Sequence, residues 1–216
     1  GLGSDTWLGT FSIVDEDEGS IACAWELLPV GPAGLQRHTA VYREETNEVW
    51  LIGVAFDGSS GVLVLALDDP QAWAALQVNG ELPPILLDAC ATFYGEELIV
   101  FGGRKGGAEN KPLDADPLSD VWRLIGGGPT WTAETIELEE PRPLAGCLAI
   151  PEQSGSAVTV VPGAARAIAS WSTSLSFEPL AGAWSELGSW SGLPPRTGAT
   201  VVLRQKPASG WMSSVP

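Results

Sequence analysis

Apolar residues along the chain fall in short runs that turn-forming residues separate. The segments 37–42, 49–53 and 62–67 are apolar and rich in β-branched residues, and Asn, Gly, Asp and Pro divide them. Such runs predict strands that are joined by tight turns. A further short segment begins at Trp73, so this stretch predicts a unit of four strands.

Tryptophan recurs in a similar setting in successive parts of the chain. Trp25, Trp73, Trp131 and Trp184 lie at intervals of about fifty residues, and each begins a short alternating segment. A period of this size predicts a repeated sheet unit. Because an indole buries a large apolar area, we interpret the four side chains as core residues between neighbouring units, and not as a ligand cage.

The second repeat carries a resemblance to a known family. The residues that carry it across the chain are Arg37-His38-Thr-Ala, Leu98-Ile-Val-Phe-Gly-Gly103, Ser119-Asp-Val-Trp122 and the tryptophan seven positions after Ala66, Leu124 or Phe177. This pattern resembles the kelch repeat of β-propellers. The resemblance implies an all-β, kelch-like β-propeller with four-stranded antiparallel blades. The family's glycine pair is kept at Gly102-Gly103 alone, where it predicts positive φ.

The resemblance also divides the chain into blades. It implies a single propeller domain with about three complete blades at 35–80, 87–138 and 144–190. Residues 4–30 would form the last two strands of a partial blade, and 196–216 the first strand of another. The terminal strands either pair with each other and close a small ring, or belong to a longer propeller. The start at Gly1, without an initiator methionine, favours the longer propeller.

The charge of the chain limits the classes of partner. The net charge is −16, from 27 acidic and 11 basic residues. Nucleic-acid binding normally requires a basic stripe, and the sequence shows none. The acidity fits either a protein partner with a basic face or a plain requirement for solubility. No apolar run approaches the roughly eighteen residues of a membrane-spanning helix, so we expect no membrane span.

The three cysteines do not predict a disulfide framework. Cys90 and Cys147 occupy the same position of successive repeats, on the innermost strand, and Cys23 stands apart. Equivalent positions in neighbouring blades need not bring Cα atoms within the roughly 7 Å that a bridge requires. An odd count also argues against such a framework. We therefore expect small buried apolar residues, and reducing conditions such as the cytoplasm are favoured over an oxidising compartment.

Residues with catalytic chemistry are scarce. His38 is the only histidine, which leaves little room for a catalytic triad or for a zinc or copper site. Asp114, Asp116 and Asp120 form an oxygen-rich segment and are candidates for calcium. This segment lacks the glycine and the closing glutamate of a calcium loop. We therefore predict no catalytic residue, no cofactor and no resident metal.

The loop from residue 104 to residue 118 is the best placed candidate for binding. Long loops on a rigid scaffold are where recognition usually lies. Its basic residues Arg104, Lys105 and Lys111, together with Arg37 before the first strand, are the candidate partner-binding residues. Alternatively, Arg104 and Lys105 bond to acidic residues of the same loop.

The resemblance therefore implies a non-catalytic scaffold for protein–protein interaction that presents blade loops to a partner protein. One alternative is a structural subunit of a larger assembly, in which neighbouring chains cover exposed strand edges. Another is a propeller enzyme that depends on carboxylates or a metal ion. Fold analogy supports the first two functions.

Overall fold

A computed structural model describes residues 6–15, 20–28, 38–56, 59–106, 116–126, 130–152, 155–162 and 173–189. Every regular element in these ranges is a strand. In chain order the strands are β1 (Thr6–Asp15), β2 (Ser20–Leu28), β3 (Thr39–Arg43), β4 (Glu48–Phe56), β5 (Ser59–Ala66), β6 (Ala74–Ala75), β7 (Gln77–Gly80), β8 (Leu86–Leu87), β9 (Cys90–Tyr94), β10 (Glu97–Phe101), β11 (Arg104–Lys105), β12 (Val121–Ile125), β13 (Thr130–Thr135), β14 (Leu148–Pro151), β15 (Val158–Val161), β16 (Thr173–Glu178) and β17 (Ala183–Ser189).

Two sheets are four-stranded antiparallel meanders. Strands β3, β4, β5 and β6 form the first sheet, and β14, β15, β16 and β17 form the last sheet, each in chain order. Short turns at 44–47 and 179–182 join β3 to β4 and β16 to β17, where the sequence predicted turns between apolar runs. The prediction of an all-β chain with four-stranded antiparallel sheets is confirmed for the described residues.

The middle sheet contains a fifth strand that the sequence did not predict. Strands β9, β10, β12 and β13 pair antiparallel, and β7 then adds to β13 in parallel, with Thr130 opposite Gln77. The segment of β7 follows the first sheet in the chain but pairs with the next one. It therefore links the first sheet to the middle sheet through backbone hydrogen bonds. Strands β8 and β11 form a separate short pair.

Strands β1 and β2 form a two-stranded sheet. Trp25 on β2 has 63% of its surface exposed, and Leu27 has 54%. The interpretation of Trp25 as a core residue is therefore wrong. Among the described residues, β1 and β2 pair with no further strand, whereas the sheets that hold Trp131 and Trp184 have five and four strands. The predicted first strand at 196–216 lies outside the described residues.

Aromatic rings pack the sheets against one another. Trp131 of the middle sheet is 2% exposed, and its ring centroid lies 4.9 Å from that of Trp50 in the first sheet. The ring centroid of Trp184 in the last sheet likewise lies 5.8 Å from that of Phe101 in the middle sheet. Trp73 packs less deeply, against Leu63 and its neighbours in the first sheet. The repeated tryptophan therefore fills the contact between sheets at Trp131 and Trp184.

The first strands of consecutive sheets also meet. The hydroxyl of Thr39, at the start of β3, donates a hydrogen bond of 2.7 Å to the carbonyl of Ala89, just before β9. Cys90 of β9 forms a disulfide with Cys147, just before β14, across a Cα–Cα distance of 5.4 Å. The expectation of unbridged thiols at these positions was wrong. The beginnings of the first strands of consecutive sheets lie side by side, close enough for a bond.

The glycine pair has the backbone conformation that its sequence predicted. Gly102 and Gly103 have φ values of +52° and +90°. The Gly103 amide donates to the carbonyl of Leu144 at 2.7 Å, where the chain passes toward the last sheet. A Cβ on Gly102 would overlap that same carbonyl oxygen. The pair is therefore required both by its conformation and by the close approach of another backbone.

Candidate functional site

Arg104 lies on a short strand with a carboxylate beside it. On β11 its backbone pairs with Leu87 and forms a bridge to Pro117. Its side chain is 13% exposed, and Nε lies 3.8 Å from Oδ2 of Asp88. Asp88 lies outside the long loop and comes close to Arg104 because β11 pairs with β8. The predicted pairing of Arg104 with Asp114 or Asp116 of that loop stays a prediction. The proposed contact of Arg104 with a partner stays a prediction.

The other predicted site residues are scattered or outside the described ranges. Lys105 follows Arg104 on β11 and is exposed. Asp116 and Asp120 are exposed as well, on the described end of the long loop. The remaining predicted residues, which lie outside the described ranges, are Arg37, Lys111 and Asp114. Among the described residues, no three His, Cys, Asp or Glu side chains are grouped so that they could hold a metal ion.

A cavity of about 320 Å³ lies where the first sheet meets the middle sheet. Its walls come from the β3–β4 turn, from β4, β5 and β6, and from β13 across the junction. The lining residues are Arg43, Thr46, Glu48, Trp50, Val64, Ala74, Ala75, Leu76 and Trp131. Thr46, Ala74 and Ala75 are exposed and form the mouth, whereas Trp50 and Trp131 are buried. The cavity is thus mostly apolar, with charged groups at one end.

Arg43 supplies the positive charge of this cavity. It ends β3, where alternation places it on the same face as Val41, which packs against the core, and opposite the exposed Tyr42. Its side chain is only 12% exposed. The guanidinium carbon lies 5.4 Å from the ring centroids of both Phe93 and Trp131. Cation–π contact with these two rings positions the guanidinium at the junction of the sheets.

The guanidinium keeps hydrogen-bonding capacity. Its Nε is buried and has no hydrogen-bond partner among the described residues. Oε2 of Glu45 lies 4.0 Å from Nε. At this distance the two side chains form an ion pair without a hydrogen bond. The Glu45 side chain is itself 68% exposed. Because an unsatisfied buried donor is costly, Arg43 favours an additional acceptor.

Glu48 is already engaged by two donors. Its Oε2 accepts a hydrogen bond of 2.6 Å from the Thr46 hydroxyl and one of 3.1 Å from Nε1 of Trp50. These bonds fix the carboxylate against the indole wall of the cavity. The arrangement can therefore bind a group that is negatively charged at one end and apolar at the other. Arg43 was not among the residues predicted to bind a partner, although period-two alternation from Val41 indicates its inward face.

His38 lies at the beginning of β3 and is exposed. Partial desolvation nevertheless lowers the pKa of its imidazole from the ordinary value of 6.5. The shift disfavours the protonated form near neutral pH. Among the residues that the structure describes, His38 belongs to no group of side chains that could hold a metal ion.

Comparison with known proteins gives information about the fold. No family model matches the sequence, and no curated protein matches it. A solved structure, titled "Structure of YjhT", matches with a TM-score of 0.57 and 18% sequence identity. The match covers 76% of this chain and 54% of that chain, so this chain spans about half the length of that structure. The likeness shows a shared fold. Among the described residues no helix is long and apolar enough to cross a membrane.

Proposed function

We propose that this chain is a non-catalytic binding module built as part of a kelch-like β-propeller, and that it recognises a segment of a partner protein. The observation that carries the binding function is the cavity at Arg43. Its walls belong to two sheets joined by aromatic contacts, so a ligand would meet preorganised side chains. Its guanidinium is desolvated and has an unsatisfied donor.

The contacts between sheets support the propeller arrangement. Thr39 bonds to the segment before β9, and the Cys90–Cys147 disulfide joins β9 to the segment before β14. First strands that follow one another side by side fit blades around a common axis. The disulfide also favours an oxidising compartment over the cytoplasmic location that the cysteine count favoured.

A photocrosslinking amino acid at the mouth of the cavity tests this function. We would place it at Ala75 and, as a matched control, at the exposed Ser185 on the last sheet. The expected result is a discrete adduct with one protein from position 75 alone, followed by binding of that purified protein to the unmodified chain. Equal adducts from both positions, or no binding by the purified protein, would contradict the proposal.

A second candidate function, a structural subunit, is favoured by the hairpin of β1 and β2. Trp25 and Leu27 lie two positions apart on one face of β2, and both are exposed. In an assembly, a neighbouring subunit would cover this face. Sedimentation of the double variant Trp25→Ser/Leu27→Ser tests the idea. The wild-type chain should self-associate and the variant should remain monomeric, whereas a monomeric wild-type chain argues against it.

A further inference from the structure

We infer that the cavity at Arg43 recognises a carboxylate beside an apolar side chain, as in an acidic residue of a partner peptide that neighbours an aromatic or branched residue. This inference rests on the proposed binding function and specifies its ligand. The cavity volume of about 320 Å³ lies at the small end of ligand sites, which suits one or two side chains.

The charged residues of the cavity determine which charge a ligand should carry. Glu48 accepts bonds from Thr46 and Trp50, so its Oε2 is engaged within the wall. Arg43, in contrast, retains a buried Nε without a hydrogen bond. A guanidinium offers a fork of donors that matches a carboxylate in two parallel hydrogen bonds. A ligand carboxylate in the cavity would therefore meet the guanidinium of Arg43, which lines it.

The apolar wall selects the neighbouring group. The buried Trp50 and Trp131 form the floor of the cavity, and the half-buried Val64 and Leu76 add aliphatic surface. An aromatic or branched side chain would cover this surface and exclude water from the ion pair. Exclusion of water strengthens the attraction between the charges.

Substitution of Glu45 should strengthen the binding of an acidic ligand, whereas substitution of Arg43 should weaken it. The Glu45 carboxylate lies 4.0 Å from Nε of Arg43 and is largely exposed, so it competes for the guanidinium without being held in place. An incoming carboxylate would displace it. The variant Glu45→Gln should therefore bind an acidic ligand several-fold more tightly, whereas loss of Arg43 should weaken binding about tenfold or more.

Calorimetric titration with matched probes decides the matter. The probes are hydrocinnamate and its neutral amide, and the blocked dipeptide phenylalanyl-glutamate and its glutamine counterpart. We expect both acids to bind, the neutral probes to bind at least tenfold more weakly, and Arg43→Met to remove the difference. Arg43→Lys should recover part of it, because lysine keeps the charge but not the planar fork.

Controls separate this ligand class from the binding function itself. Arg123→Met removes another half-buried arginine, which pairs with Glu134 outside the cavity, and should leave affinity unchanged. Ala74→Leu narrows the mouth of the cavity without touching Arg43 and should weaken the binding of both acids.

Equal affinity for acid and amide, or no binding of either acid, would overturn the inference. Binding of hydrocinnamate without the dipeptide would overturn the peptide as occupant. A crosslinked partner that still binds Arg43→Met would retain the binding function and refute only the carboxylate.

Discussion

Loss of the Cys90–Cys147 disulfide should cost a large part of the stability of the chain. The two cysteines are 57 residues apart in sequence, so the bond closes a long loop of the unfolded chain. The chain-entropy relation gives about 4 kcal/mol for a loop of this length at 25 °C. The double variant Cys90→Ala/Cys147→Ala also loses a little packing, because Cys90 is 4% exposed. We therefore expect its free energy of unfolding to fall by about 4 kcal/mol.

Urea unfolding of the oxidised chain, the reduced chain and the double variant measures this loss. The reduced wild-type chain should unfold at nearly the same urea concentration as the double variant, which separates the crosslink from side-chain volume. The exposed Cys23 provides a control, because Cys23→Ala should change the free energy by no more than about 0.5 kcal/mol. Three reactive thiols in the denatured, unreduced chain would refute the bond. Equal midpoints for the oxidised and reduced chains would refute its stabilising role.

Three further predictions concern single residues. In urea unfolding, Gly102→Ala should lose about 2 kcal/mol more stability than Gly95→Ala. Both glycines have positive φ, but only Gly102 faces a backbone carbonyl oxygen. Equal losses would contradict the close approach of that carbonyl to Gly102. Phe177→Ala should lose about 3–5 kcal/mol in the same assay, because the ring is fully buried, and a loss below about 1 kcal/mol would contradict its place in the core. The pKa of the His38 imidazole, measured by NMR, should lie below 6.5. The free energy of unfolding should therefore decrease as the pH falls through 6.5 toward the pKa of the folded state, and His38→Gln should remove that dependence. A measured pKa at or above 6.5 would contradict the desolvation.

The strands and their grouping into sheets were predictable because their signals are local. Alternation of apolar and polar residues sets which face of a strand is buried, and turn residues set where it ends. The tryptophan period located the units, yet it could not distinguish Trp131 from Trp25. The former has the first sheet beside it, and the latter stands on a two-stranded hairpin, so the same residue type is buried in one setting and exposed in the other.

Features that depend on the relation between sheets were not predictable in the same way. Cys90 and Cys147 lie at the beginnings of the first strands of consecutive sheets, and the distance between them is set by how those strands approach one another. The parallel addition of β7 to β13 likewise joins a linker to the sheet that follows it. The environment of Arg43 was predictable in part. The inward face of Arg43 follows from alternation, whereas its contact with Trp131 follows from the junction of two sheets.

The acidity of the chain and the Arg43 guanidinium in the cavity make opposite predictions about salt, and this difference can identify the partner. With a net charge of −16, the long-range field repels an acidic ligand. Screening acts over about 8 Å at physiological ionic strength, so added salt should weaken that repulsion more than the short, partly buried pairing at Arg43. Association of an acidic peptide, measured by stopped flow, should therefore become faster as salt increases, with a smaller change in its dissociation rate. A partner with a basic face would associate more slowly with salt, and slowing for the acidic peptide would contradict recognition at Arg43 against a repulsive field.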